Sequence, residues 1–62
     1  MYNIVVIDDD EFFRTNFVNL INWSKFDCQV IKAFNDAESI IKYLISNSAN
    51  VDIIITDICM PN

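Results

Sequence analysis

Glycine is absent from these 62 residues, and proline occurs once, at Pro61. The lack of glycine argues against a glycine-rich phosphate loop or a dinucleotide fingerprint, since both need a backbone approach that side chains block. Histidine is also absent, and Cys28 and Cys59 stand far apart. Neither the number nor the spacing of soft ligands suits zinc, and the two cysteines read as reduced, mostly buried thiols rather than a disulfide. The four basic residues, Arg14, Lys25, Lys32 and Lys42, are scattered singly against nine acids, for a net charge of -5. Nucleic-acid affinity comes mainly from neutralising phosphates with Lys and Arg, so no direct contact of this segment with nucleic acid is expected. No apolar stretch approaches membrane-spanning length, and no basic region precedes the short apolar run at the N-terminus. No membrane span or signal peptide is therefore read, and the expected location is cytoplasmic.

What is present is apolar: 53% of the residues are hydrophobic, which marks a globular chain rather than a disordered one. At this length one small domain is the upper bound, burying about 60% of the surface its unfolded form exposes. The acids are not spread evenly. Asp8, Asp9, Asp10 and Glu11 follow the apolar run Ile4-Val5-Val6-Ile7, and Asp57 follows the run that contains Ile53, Ile54 and Ile55.

Tyr2 to Ile7 reads as a strand buried on both faces. The period then changes: Phe13, Phe17, Leu20 and Ile21 recur at helical spacing, predicting a helix over 10–22 with Asp9, Asp10 and Glu11 at the positive end of its dipole. Asn22 to Asp27 is a polar connection whose Trp23 and Phe26 are expected to fold back on the core. Cys28 to Phe34 reads as a strand at a sheet edge. Asn35 with Glu38 has the form of a capping box, opening a helix with Ile40, Ile41, Leu44 and Ile45 on one face and an end near Ser46. After a polar turn over 47–50, Val51 to Thr56 is the third strand. Strands alternating with helices imply an α/β fold with a parallel sheet. With the first strand in the middle the order is 2-1-3, and ligands bind at the carboxyl ends of strands flanking such a switch point. Those ends carry Asp8-Asp9 and Asp57.

Carboxylates about 4 Å apart repel by about 4 kcal/mol per pair at an effective dielectric of 20, so a cluster needs a counter-ion or takes up protons. An all-oxygen site favours magnesium, which keeps several waters and uses one or two carboxylates plus a phosphate oxygen. With one carboxylate left to attack, such a site suits phosphoryl transfer, and Asp57 would be the covalent acceptor. The plain alternative is a helix N-terminus collecting acids for its dipole, beside an ordinary strand-end aspartate.

Ile4-Val5-Val6-Ile7-Asp8-Asp9-Asp10-Glu11, a helix with Arg14, and Asp52-Ile53-Ile54-Ile55-Thr56-Asp57-Ile58-Cys59-Met60-Pro61 together resemble the receiver domain of two-component response regulators. The resemblance implies a flavodoxin-like βαβαβ arrangement, and the 2-1-3 strand order is the family's own. It implies that Asp57 takes a phosphoryl group from a phosphohistidine on a sensor histidine kinase, as a phosphoacceptor rather than a turnover enzyme. Asp9 and Asp57 would bind Mg2+ directly, Asp8 through water, and Cys59 through its backbone carbonyl, while Asp10 belongs to the helix start. The segment Leu20-Ile21-Asn22-Trp23 is similar to regulators with an AraC-type DNA-binding output, so DNA would be reached through another domain.

A complete receiver has five βα units, so residues 1–62 are expected to be its N-terminal half, truncated after the third strand. The Ser or Thr ending strand four, the Lys ending strand five and the aromatic switch residue would lie elsewhere. Val51 to Thr56 would then be an exposed, apolar edge, and self-association through it or through the open face is expected. Two rival readings stay open. One is a phosphorylation-independent interaction or dimerisation module of the same fold. The other is an aspartyl phosphohydrolase using Asp8 and Asp10, although Phe12 stands where that site has threonine.

Overall fold

The structure, a computed structural model, describes residues 1–56. Its centre is β1 (Tyr2–Ile7), which pairs in parallel with β2 (Cys28–Phe34) on one side and β3 (Ile53–Thr56) on the other. The predicted order 2-1-3 is the order found. Between the strands run α1 (Glu11–Leu20) and α2 (Ala37–Asn47), each leading into a short 3-10 segment, Trp23–Phe26 and Ser48–Asn50.

A strand flanked on both edges and packed on both faces has to be apolar throughout. Ile4, Val5, Val6 and Ile7 are all buried, with Val5 at 0% exposure. Val5 and Ile7, two apart and hence on one face, meet Ile40 of α2, with Phe34, Tyr43 and Leu44 packed around them. The register of β2 slips by one residue opposite Ile4 and Val5, a bulge that skips Ile31. β2 lies at the edge of the described sheet as expected, and Lys32 and Ala33 on it are exposed.

Both helices open on an aspartate cap. Asp10 accepts the Phe13 N–H at 3.1 Å, which bears out its place at the helix start. For α2 the expected Asn35–Glu38 box is not formed. Asp36 caps it instead: its extended backbone (φ -151°, ψ 161°) turns the carboxylate toward the Ser39 N–H, 2.7 Å away. Hydrogen bonds from the Ser39 backbone and side chain hold the Asp36 carboxyl below the ordinary range. Glu38, released from capping, pairs with Lys42 at 3.4 Å on the exposed face.

Other expectations are corrected by geometry. α1 stops at Leu20 because Ile21 is extended (φ -90°, ψ 131°). Trp23 does fold back, edge-on to Phe17 at 5.5 Å with its indole N–H donating to the Val18 carbonyl, but Phe26 is 64% exposed. The connection between them ends at Asp27 in the left-handed region (φ 57°), a conformation that Asp tolerates better than most residues. Ile40 is buried and Leu44 partly so, whereas Ile41 and Ile45 face outward, as do Phe13 and Leu20 on α1. A three-stranded sheet offers each helix a narrow contact stripe, and side chains one position round the helix miss it. β3 begins at Ile53 rather than Val51, since Asp52 is engaged with Asn3. Cys28 is a free thiol and only half-buried, while Cys59 lies outside the described residues.

Candidate functional site

β1 runs out at Ile7, and the next residue, Asp8, continues the sheet by one bond: its N–H donates to the Phe34 carbonyl at 3.0 Å. That bond holds Asp8 at the sheet's edge, where it is 4% exposed and is the buried polar residue among those described. A buried carboxylate requires partners. Its Oδ1 accepts the Asp10 N–H at 2.9 Å, and its main-chain carbonyl accepts from Nη1 of Arg14 at 2.6 Å. Asp10 is used twice more, through its carboxylate at the Phe13 N–H and through its carbonyl, which accepts the Arg14 N–H at 2.9 Å.

Asp9 is left over. It is exposed, and among the described residues none of the bonds that shape this turn uses its carboxylate. Three successive acids therefore have three different positions: Asp8 buried and tied, Asp9 open, Asp10 capping a helix. The guanidinium of Arg14 is directed at a carbonyl, and among the described residues it forms no ion pair with a carboxylate of the turn.

Beside the turn lies a groove of about 390 Å³. Asp8 and Asp10 stand at its rim, Phe13 and Phe17 line it from α1, and Ile55 and Thr56 line it from β3. Ile7 pairs with Thr56 in register, so the last described residue of β3 stands beside the strand end that carries Asp8. The structure thus brings the β1 acids and the end of β3 to one edge of the sheet. Asp57 and Cys59 lie outside the described residues.

Among the described residues no three carboxylate or thiol groups converge to hold a metal by themselves. The donors at the β1 exit are oxygens only, one carboxylate partly engaged and one open. That set fits a hard cation that keeps several waters and takes few protein ligands, and it does not fit zinc. No helix among the described residues is long and apolar enough to cross a membrane.

Two contributors have no clear signature in the sequence. Asp36 as a cap depends on backbone angles that Asn35 could equally have adopted. Arg14 stands in the sequence as the lone cation of its helix and as part of the receiver-like pattern, but its contact is not readable there, because its partner is a main-chain carbonyl and not a side chain.

The family model of the response regulator receiver domain matches residues 4–62. No curated protein and no solved structure matches the chain. The match spans all but the first three residues, and the parallel 2-1-3 sheet with intervening helices is that of the flavodoxin-like receiver fold. The chain belongs to the response regulator receiver domain family.

Proposed function

We propose that this chain is the phosphoacceptor module of a two-component system, with Asp57 receiving a phosphoryl group from a phosphohistidine of a sensor kinase. A carboxylate oxygen of Asp57 attacks phosphorus as the N–P bond breaks, the bonding pair leaves on the imidazole nitrogen, and an acyl phosphate results. Asp9 and Asp57 would hold Mg2+ directly, Asp8 through a water, and the Cys59 carbonyl would complete the protein ligands. When bound, the ion neutralises charge on the transferred group. Asp8 keeps its carboxylate at the site because Phe34 and Arg14 hold its backbone at the sheet edge.

The observation that carries this reading is the division of labour at the β1 exit, where Asp9 is kept out of every bond that shapes the turn. A turn built only to start a helix needs one capping acid, which Asp10 already supplies. Phosphorylation then controls an output, which we take to be transcription through a separate DNA-binding domain, in the cytoplasm. Among the described residues β3 pairs with β1 on one edge alone, and we propose that its other edge drives self-association of this segment. Sedimentation should show association rising with concentration; a monomer with sharp two-state unfolding contradicts that.

The exposed apolar side chains of α1, with Phe12 at 80%, favour a second reading as an interaction module that works without phosphorylation. The two separate on incubation with a phosphorylated sensor kinase and Mg2+. Phosphoacceptor function gives a hydroxylamine-labile label that is lost in Asp57→Asn and kept in Asp10→Asn. A label that persists in Asp57→Asn, or turnover of a phosphate ester abolished by Asp8→Asn, overturns it.

A further inference from the structure

We propose that Arg14 is a positioning residue that sets the Mg2+ affinity of the β1 exit, by fixing the peptide between Asp8 and Asp9. The inference rests on the reading of that exit as a magnesium site. Arg14 belongs to the second turn of α1, and its guanidinium reaches back six residues to the Asp8 carbonyl, 2.6 Å from Nη1. A bond this short from a charged donor is of the strong kind, and it is partly buried. The same residue's N–H is held by the Asp10 carbonyl, so Arg14 is rooted in the helix that the turn feeds.

The consequence falls on Asp9. The N–H of the Ile7–Asp8 peptide is fixed to Phe34 and the C=O of the Asp8–Asp9 peptide to Arg14, so the peptide planes on either side of the Asp8 Cα are both held, the second by Arg14. The Asp9 side chain has no bond of its own within the turn. Its direction is therefore inherited from that peptide plane. A guanidinium paired with either carboxylate would occupy the place of a cation. Directed at the carbonyl, it orders the turn and leaves the acid oxygens available.

Positioning and simple electrostatics predict opposite signs. Arg14 places a positive charge near a cation site, so removing that charge without disturbing geometry would tighten Mg2+ binding. If Arg14 positions Asp9, its removal weakens binding instead, and loss of an outer partner of this type costs about tenfold in metal affinity. The test is Mg2+ titration of the wild-type chain, Arg14→Gln and Arg14→Lys, followed by the amide shifts of Asp9 and Asp10. Arg14→Gln should bind about tenfold more weakly. Arg14→Lys keeps the charge but replaces a rigid fork with a mobile point donor, and should bind more weakly than the wild type but less so than Arg14→Gln. Tighter or unchanged binding in Arg14→Gln overturns the proposal. If that variant does not fold, wild-type affinity in Arg14→Lys overturns it. A wild-type chain with no saturable response overturns the magnesium reading itself, a result distinguishable from failure of Arg14 alone.

Discussion

The two ends of the sheet carry acids with opposite fates. At the amino end, Asp52 accepts the Asn3 N–H at 2.8 Å, the Asn3 amide donates to the Asn50 carbonyl at 2.8 Å, and Gln29 donates to the Asn3 side chain at 2.6 Å. Each of these polar side chains closes on a main-chain or side-chain partner, and the set pins β1 to β2 and to the approach to β3. At the carboxyl end, Asp8 and Asp10 are tied to backbone groups while Asp9 is not. The difference teaches that unused bonding capacity, rather than the number of acids, separates a site from a fastener.

The largest expected effect is one that erases the comparison. Ile40 packs against Val5 and Ile7 beneath the whole sheet, and Ile40→Ala should cost about 3 kcal/mol in urea unfolding. In so small a domain that disables both ends together.

Next come the variants that separate the ends. Asp52→Ala should lower stability by about 1 kcal/mol, since it leaves the Asn3 N–H without its acceptor, and should leave any Mg2+ response unchanged. Asp8→Asn should do the reverse. The amide oxygen can still accept the Asp10 N–H, so metal-free stability should move by less than about 1 kcal/mol while the Mg2+ response is lost. Equal losses of stability in the two variants would dissolve the distinction.

The contrast also shows what was legible in the sequence. β1 and β2 were readable to the residue, because β-branched runs closed by acids or by Asn have few other uses. Which helix side chains are buried was not readable: Ile40 and Ile41 are alike in sequence, and the width of the sheet decides between them. The acids at the β1 exit could be found, but the separate roles of Asp8 and Asp9 came with the family resemblance. The roles proposed for them rest on main-chain bonds, of the Asp8 N–H to Phe34 and of Arg14 to the Asp8 carbonyl, that no residue pattern encodes.

The smallest effect concerns the acid that caps α2, two residues after Phe34. Asp36 has its carboxyl held low by the Ser39 bonds, so its contribution is fully present above the unfolded value, about 3.9. It is lost as pH falls through the lower folded value. Asp36→Asn should flatten that acid limb of stability in thermal melts, leaving the curve near neutral pH little changed. A limb that persists in the variant would assign acid sensitivity to other carboxylates.

The most direct test of the magnesium and phosphoacceptor account is an NMR titration of the chain with Mg2+, run beside Asp57→Asn. The account predicts saturable shifts at Asp8, Asp9 and Asp57 in the wild type, weakened or abolished in the variant, with Asn3 and Asp52 unmoved. Folded protein with no site-specific response, or one unchanged in Asp57→Asn, would contradict it and favour the interaction module.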